Sequence, residues 1–306
     1  LPPNIDDALP NLRVLTLGSN MFEGQIPASL GNASVIQRID LSSNQLVGKI
    51  PASLGKLSRL SLLNLEANML EASDNDSWEF LHALGNCSSL GVFSISEKQL
   101  GGHIPNSIGN LSTSLHMLLL SANKLSGIVP PGIGNLHNLT WLGLDENSLT
   151  GPIDEWIGKL TNLVRLNLCE NNFTGPIPPS IGNLNQLAVL FLGANGFTGP
   201  IPPSLGNLQE LSKLNLSFNN LNGSIPKELF SVATMVICAF THNDLDGPII
   251  IESGNLRQLS ELHLSSNRIT GRIPDSLGQF QEIETIRMDQ NFLTGTIPIS
   301  LSNLKS

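Results

Sequence analysis

Three residue types in this chain could do chemistry: imidazole, thiol and paired carboxylate. The histidines are His82, His103, His116, His137, His242 and His263. None has the HExxH spacing that would bring two rings to one side of a helix around a metal ion. The thiols Cys87, Cys169 and Cys238 form no close pair. Asp145-Glu146 and Asp154-Glu155 could be read as the two carboxylates of glycoside hydrolysis, but turn residues on a regular surface explain them better. The sequence has no GxSxG nucleophile elbow and no phosphate-cradling glycine loop. It also has no His-Arg-Asp catalytic loop and no Asp-Phe-Gly triplet. No catalytic residue, cofactor or metal is expected. What remains suits recognition: Trp141, Asp145, Arg165, Asn167, Phe191, Lys213 and Phe218 include the aromatic and Arg side chains enriched in binding hot spots.

The element that must position these residues is a repeat. One copy reads Leu211-x-x-Leu214-x-Leu216-x-x-Asn219-x-Leu221-x-Gly223-x-Ile225-Pro226. Its Asn recurs at Asn20, Asn44, Asn68, Asn123, Asn147, Asn171, Asn195, Asn219, Asn243, Asn267 and Asn291, with Lys98 once in its place. The interval is 24 residues except 30 before Lys98 and 25 after it, so twelve repeats fill the chain. Leu-x-x-Leu-x-Leu has the period-two ending of a short strand with one face buried. The Asn side chain can bond backbone groups at the turn, and stacked repeats would build a ladder of such side chains. Gly-x-Ile-Pro reads as a tight bend that ends pairing, followed by a segment short enough for a 3₁₀ turn. No repeat can bury its leucines alone, so neighbours must cover them. The expected fold is an α/β repeat solenoid, a right-handed superhelix with a parallel concave sheet, forming one domain over residues 1–306. Twelve strands would span roughly 55 Å along the inner arc.

The period breaks at about residues 71–85. Gly-x-Ile-Pro is lost there, and Trp78 to Leu84 reads as a helix with Asp76 as N-cap and Phe80, Leu81 and Leu84 as its apolar stripe. The acidic loop Asp74–Asp76 is an alternative docking surface. Lys98 cannot accept hydrogen bonds, so the Asn ladder should break at that position. Cys169 and Cys238 lie three repeats apart, roughly 14 Å by strand spacing, too far to bridge.

Composition limits the partners. The 306 residues are 40% hydrophobic but 5% aromatic, with no Tyr, which suits small uniform layers. A formal charge of -9 without a basic run argues against nucleic acid. The longest apolar runs, such as Ile249–Ile251, are far below the ~20 residues of a membrane helix. The start, LPPNIDD, is not a signal peptide, and a mature or excised piece is expected.

The unit LxxLxLxxNxLxGxIPxxLGxL resembles the plant-type leucine-rich repeat of receptor-like kinase and receptor-like protein ectodomains. Trp78-Glu79-Phe80-Leu81 running to Asn86-Cys87-Ser88, Asn106 to Ser112, and Asp154-Glu155-Trp156-Ile157-Gly158 are similar to the receptor kinases abundant in grasses, whose subfamily includes pattern-recognition immune receptors. The resemblance implies an extracellular module that recognises a peptide or protein ligand in defence signalling and works with a leucine-rich-repeat co-receptor kinase. The family's paired-Cys caps are absent, so a fragment without caps or kinase is expected. Its Arg-x-Arg grip on a ligand carboxylate is absent too. The competing class is a secreted interaction protein, such as an inhibitor of microbial cell-wall-degrading enzymes.

Residues between the leucine anchors should face the concave side, where they are decoupled from folding. Asn-x-Ser/Thr sequons stand at Asn32, Asn75, Asn86, Asn110, Asn138, Asn172, Asn215 and Asn222 and agree with a secreted chain carrying surface sugars.

Overall fold

The computed structural model describes all residues except 6–9, 75, 98–99, 155, 252–255, 257 and 305–306. The chain divides into two compact units, Leu1–Thr150 and Gly151–Ser306. The first holds six successive parallel inner strands: Val14–Thr16, Arg38–Asp40, Leu62–Asn64, Val92–Ser94, Met117–Leu119 and Trp141–Gly143. The second holds Arg165–Asn167, Val189–Phe191, Lys213–Asn215, Ile237–Ala239, Glu261–His263 and Thr285–Arg287. Registers follow the sequence period. Val14 faces Arg38, Leu62 faces Val92 across the insertion, and Val92 faces Met117.

The strands form because alternate residues are buried. In the Lys213–Asn215 strand the centre residue is buried and its flanks are not, and Leu211, Leu214 and Leu216 are all 0% exposed. Short 3₁₀ turns such as Pro203–Asn207 return the chain along the outer arc.

The Asn ladder is present. Asn68, 0% exposed, donates through Nδ2 to the carbonyls of Leu41, Leu65 and Glu66 at 2.9, 3.1 and 3.1 Å, and its Oδ1 accepts from Leu46 N at 3.1 Å. One side chain thereby satisfies backbone groups of two repeats that would otherwise be buried without partners. Position 98, where the ladder was expected to break, lies outside the described residues.

Each repeat also pairs a second time, which the sequence reading missed. After the Asn, strands such as Asn172–Pro176, Gly196–Pro200 and Asn220–Ser224 form a parallel ladder. Its glycines adopt φ of 71 to 87. A Cβ at Gly127 would also lie 2.5 Å from His103 Cδ2, so conformation favours glycine there and any larger residue would have to displace the exposed His103 ring.

The insertion builds helix α1, Glu79–Leu84, with Phe80, Leu81 and Leu84 buried. The Asp76 N-cap reading is corrected: Trp78 occupies that position and the helix has no side-chain cap. The acidic residue that organises the turn is Asp74, whose Oδ1 accepts from Ser77 N at 2.8 Å and Ser77 Oγ at 2.6 Å. These bonds hold its carboxyl below the usual 3.8. Trp78 is 3% exposed, stacks on Phe80 at 5.5 Å, and donates from Nε1 to Gly101 O at 3.0 Å. The inserted segment therefore fills the outer layer and closes the edge of the second ladder.

Candidate functional site

In most repeats the inner strand leaves its two flanking residues exposed or half-buried and buries the anchor between them; Ser94 and Gly143 are buried flanks, and the anchor Ile286 is half-buried. In unit one, Trp141 is half-buried beside Met117 in register. Asp145 Oδ1 accepts from Ser121 Oγ at 2.6 Å, so its carboxylate is held against the sheet margin.

In unit two the expected residues fall into two columns. Arg165, Val189 and Lys213 are consecutive partners in one, and Asn167, Phe191 and Asn215 in the other. Arg165 and Lys213 are exposed and Phe191 is half-buried. Asn167 is committed to structure, because its Oδ1 accepts from Cys169 N at 3.2 Å. The same bond, from an amide two residues on, is made to Asp40 at 3.1 Å, Asn64 at 3.2 Å and Asn215 at 2.9 Å. This column therefore mixes fold-making amides with surface side chains.

A concavity in unit two lies at the lip where these strands end. It encloses about 500 Å³ and is floored by Gly193, Ala194 and Ala239. Phe218 and His242 wall it, and His263 and Arg287 also line it. The Phe218 and His242 rings stack at 4.4 Å and 11°. Both residues adopt left-handed backbone, φ 58 and 56, which turns their side chains out at the lip. His263 Nε2 and Glu261 Oε2 lie 2.8 Å apart. Aromatic faces, an imidazole, a guanidinium and the Asn215 amide thus surround a floor of small residues. Such a site can bind by stacking and by hydrogen bonds to charged or amide groups.

Of the residues expected to bind ligand, only Phe218 lines this pocket, together with the sequon Asn215; Phe191 and Lys213 lie on its strands but outside it. His242, His263 and Arg287 were missed as a set. The signal was available in the residue preceding each ladder Asn: that position holds an aromatic ring only at Phe218 and His242.

Among the described residues, no group of three or more His, Cys, Asp or Glu could hold a metal ion. None of the three cysteines is in a disulfide. Burial raises the thiol of Cys87 to about 11 and pushes that of Cys238 up as well. No helix among these residues is long and apolar enough to cross a membrane.

Comparison with known proteins gives one consistent picture. Leucine rich repeat models match residues 137–197, and also 11–33, 36–57, 114–136, 210–232 and 258–280, together more than half of the chain. The receptor kinase-like protein Xa21 of Oryza sativa subsp. japonica is 42% identical over 52 residues, 17% of this chain and 5% of that protein. A solved TDR receptor superposes with a TM-score of 0.79 at 32% identity, over 96% of this chain and 54% of its own. The ectodomain of GASSHO1/SCHENGEN3 from Arabidopsis thaliana, solved with CASPARIAN STRIP INTEGRITY FACTOR 2, gives 0.71 at 31% identity over 99% of this chain and 41% of its own. The Arabidopsis receptor kinase HAESA, solved with the peptide hormone IDA and the co-receptor SERK1, gives 0.53 at 25% identity over 96% of this chain and 68% of its own. The chain spans about half the length of the first two structures and matches a small part of the rice kinase.

Proposed function

Because the chain belongs to the leucine-rich-repeat family, we propose that it is the extracellular ligand-recognition part of a plant receptor-like kinase. Its ligand is a peptide or protein held on the inner face, and a leucine-rich-repeat co-receptor kinase completes the signalling complex. The observation that carries this reading is the Phe218–His242 stack walling a pocket on the inner lip, with His263 and Arg287 alongside. A purely structural array has no need of exposed rings in left-handed backbone. The solved relatives with bound ligands support the class of partner, the similarity to a receptor kinase-like protein of rice supports the receptor reading, and a role in defence rests on the sequence resemblance alone. The 24-residue period also passes from Asn147 to Asn171 without a break, which supports reading 1–306 as one repeat domain.

The test is capture of apoplastic peptides and proteins on the isolated chain, followed by binding of the captured species to Trp141→Ala, Phe191→Ala and His242→Ala variants. Loss of binding with an unchanged circular dichroism spectrum is expected for one or more of them. Unchanged binding in all three removes the inner-face site.

A further inference from the structure

We propose that the Asn215 sequon stays bare in the folded protein and that sugar is confined to six other sequons. The proposal stands whether or not the inner face binds a ligand. Asn32, Asn86, Asn110, Asn138, Asn172 and Asn222 are all exposed. Asn32 and Asn110 end 3₁₀ turns of the outer arc. Asn86 follows helix α1, and Asn138 leaves the outer turn Pro131–Asn135. In unit two, Asn172 and Asn222 lie on strands of the second ladder. Asn75 lies outside the described residues.

Asn215 differs from these six in its place: it is half-buried on the inner sheet. It is in the inner strand Lys213–Asn215, paired on both sides, with Phe191 and Ala239 in register. Its amide lies close over the preceding repeat: a Cβ built on Gly193 would meet Asn215 Nδ2 and Oδ1 at 3.2 Å each. Both ends of the sequon are engaged, as they also are at exposed Asn138, whose Nδ2 donates to Thr113 O at 2.7 Å while Thr140 Oγ1 donates to His116 O at 2.9 Å. Asn215 Oδ1 accepts from Ser217 N at 2.9 Å, and Ser217 Oγ, on a residue only 6% exposed, accepts from Thr241 N at 3.1 Å. The column repeats this bond at Asp40, Asn64 and Asn167, so the fold uses the Oδ1 acceptor of Asn215.

Glycosylation would form a bond from Nδ2 to the anomeric carbon of a lipid-pyrophosphate oligosaccharide. The sugar–phosphate bond breaks, the lipid pyrophosphate leaves, and one amide proton passes to solvent. In the unfolded chain the sequon is open to this reaction. A sugar placed there, however, must sit where the amide rests on Gly193, and repeats eight and nine then cannot dock. The folded pool is therefore the unmodified pool at Asn215, and the inner face of unit two carries no glycan among its described residues.

The chain is secreted from insect cells and its sequon peptides are read by mass spectrometry. Glycan is expected at the six exposed sites, with Asn215 at its unmodified mass. Asn215→Asp, which keeps the Oδ1 acceptor and deletes the sequon, should carry the same glycan count as the parent, whereas Asn172→Gln should lose one. A free peptide spanning residues 209–221, offered to microsomal transferase and its lipid-linked donor, should be modified. Glycan on Asn215 in the secreted pool overturns the proposal. So does failure of the free peptide to react, because the fold would then not be what protects the site.

Discussion

Replacing Phe218 by glycine separates binding from stability. Phe218 is 56% exposed, so little apolar burial is lost with its ring. Its φ of 58 costs a residue with a Cβ about 1–2 kcal/mol, and glycine removes that strain. Against this, glycine adds about 0.5–1 kcal/mol of unfolded-state entropy, and losing the stack on His242 removes about 0.5–1.5 kcal/mol. The terms nearly cancel, so Phe218→Gly should lie within about 1 kcal/mol of the parent. Phe218→Ala keeps the strained backbone and loses the stack, so it should be the less stable of the two. Denaturant midpoints at unchanged slope measure this order. If the ring is a hot spot, both variants should lose about 2 kcal/mol of binding, roughly thirtyfold in Kd. A glycine variant no more stable than the alanine one, or more than about 2 kcal/mol below the parent, would refute the reasoning on left-handed strain.

Further outcomes follow from the packing. Asn68→Ala leaves Leu46 N and up to three carbonyls without their partner, at about 1–3 kcal/mol for each buried group. It should therefore destabilise by about 3–5 kcal/mol. Asn20→Ala, at an exposed ladder position, should lose less than about 1 kcal/mol in the same denaturation series. Trp78→Phe keeps the stacking but leaves Gly101 O without its donor, and should lower stability by about 1–3 kcal/mol. A raised thiol pKa means little thiolate below it, and Cys87 is also 0% exposed, so native Cys87, raised to about 11, should resist iodoacetamide at pH 8 for as long as the fold is closed. Cys238, buried and also raised, should react only on unfolding, which peptide mass mapping of labelled protein will show.

The skeleton was legible because two simple constraints repeat in it. Alternate leucines must be buried on a short strand, and the turn needs a side chain that both donates and accepts. Leu214 and Asn219 meet those needs in every detail the sequence allowed. The second ladder was hidden because its register advances by 22 residues, as Glu23 facing Gln45 shows, and because Gly and Pro read as breakers. Here the glycine supplies the left-handed bend and the proline ends strands such as Asn172–Pro176. Helix α1 was legible from its apolar stripe, but its start was misplaced. Asp76 sits in sequence where a cap should be, yet Asp74 makes the bonds. At the inner face, Phe218 was found and His242 was not, because the stack joins residues 24 apart that mean nothing singly.

The two left-handed columns explain where this fold leaves room for function. Among the described residues, one column is occupied by glycine alone, at φ 71 to 87, and the other by twelve residues that all carry a side chain, at φ 52 to 62. In the second column the backbone is held by the next repeat, as when Phe218 N donates to Thr241 O at 2.8 Å and His242 N to Ser265 O at 3.0 Å. The fold fixes the conformation and leaves the side chain pointing out at the lip. Most occupants are Ser, Ala, Glu or Gln, residues that add little at a surface. Two consecutive aromatic rings there are not required by any constraint of the solenoid. They carry the same left-handed strain as a serine would and add exposed apolar area, a combination that stability alone does not favour. The pair is therefore the point at which the repeat departs from what folding needs, and the pocket it walls is where a ligand finds the side chains that differ from those of neighbouring repeats.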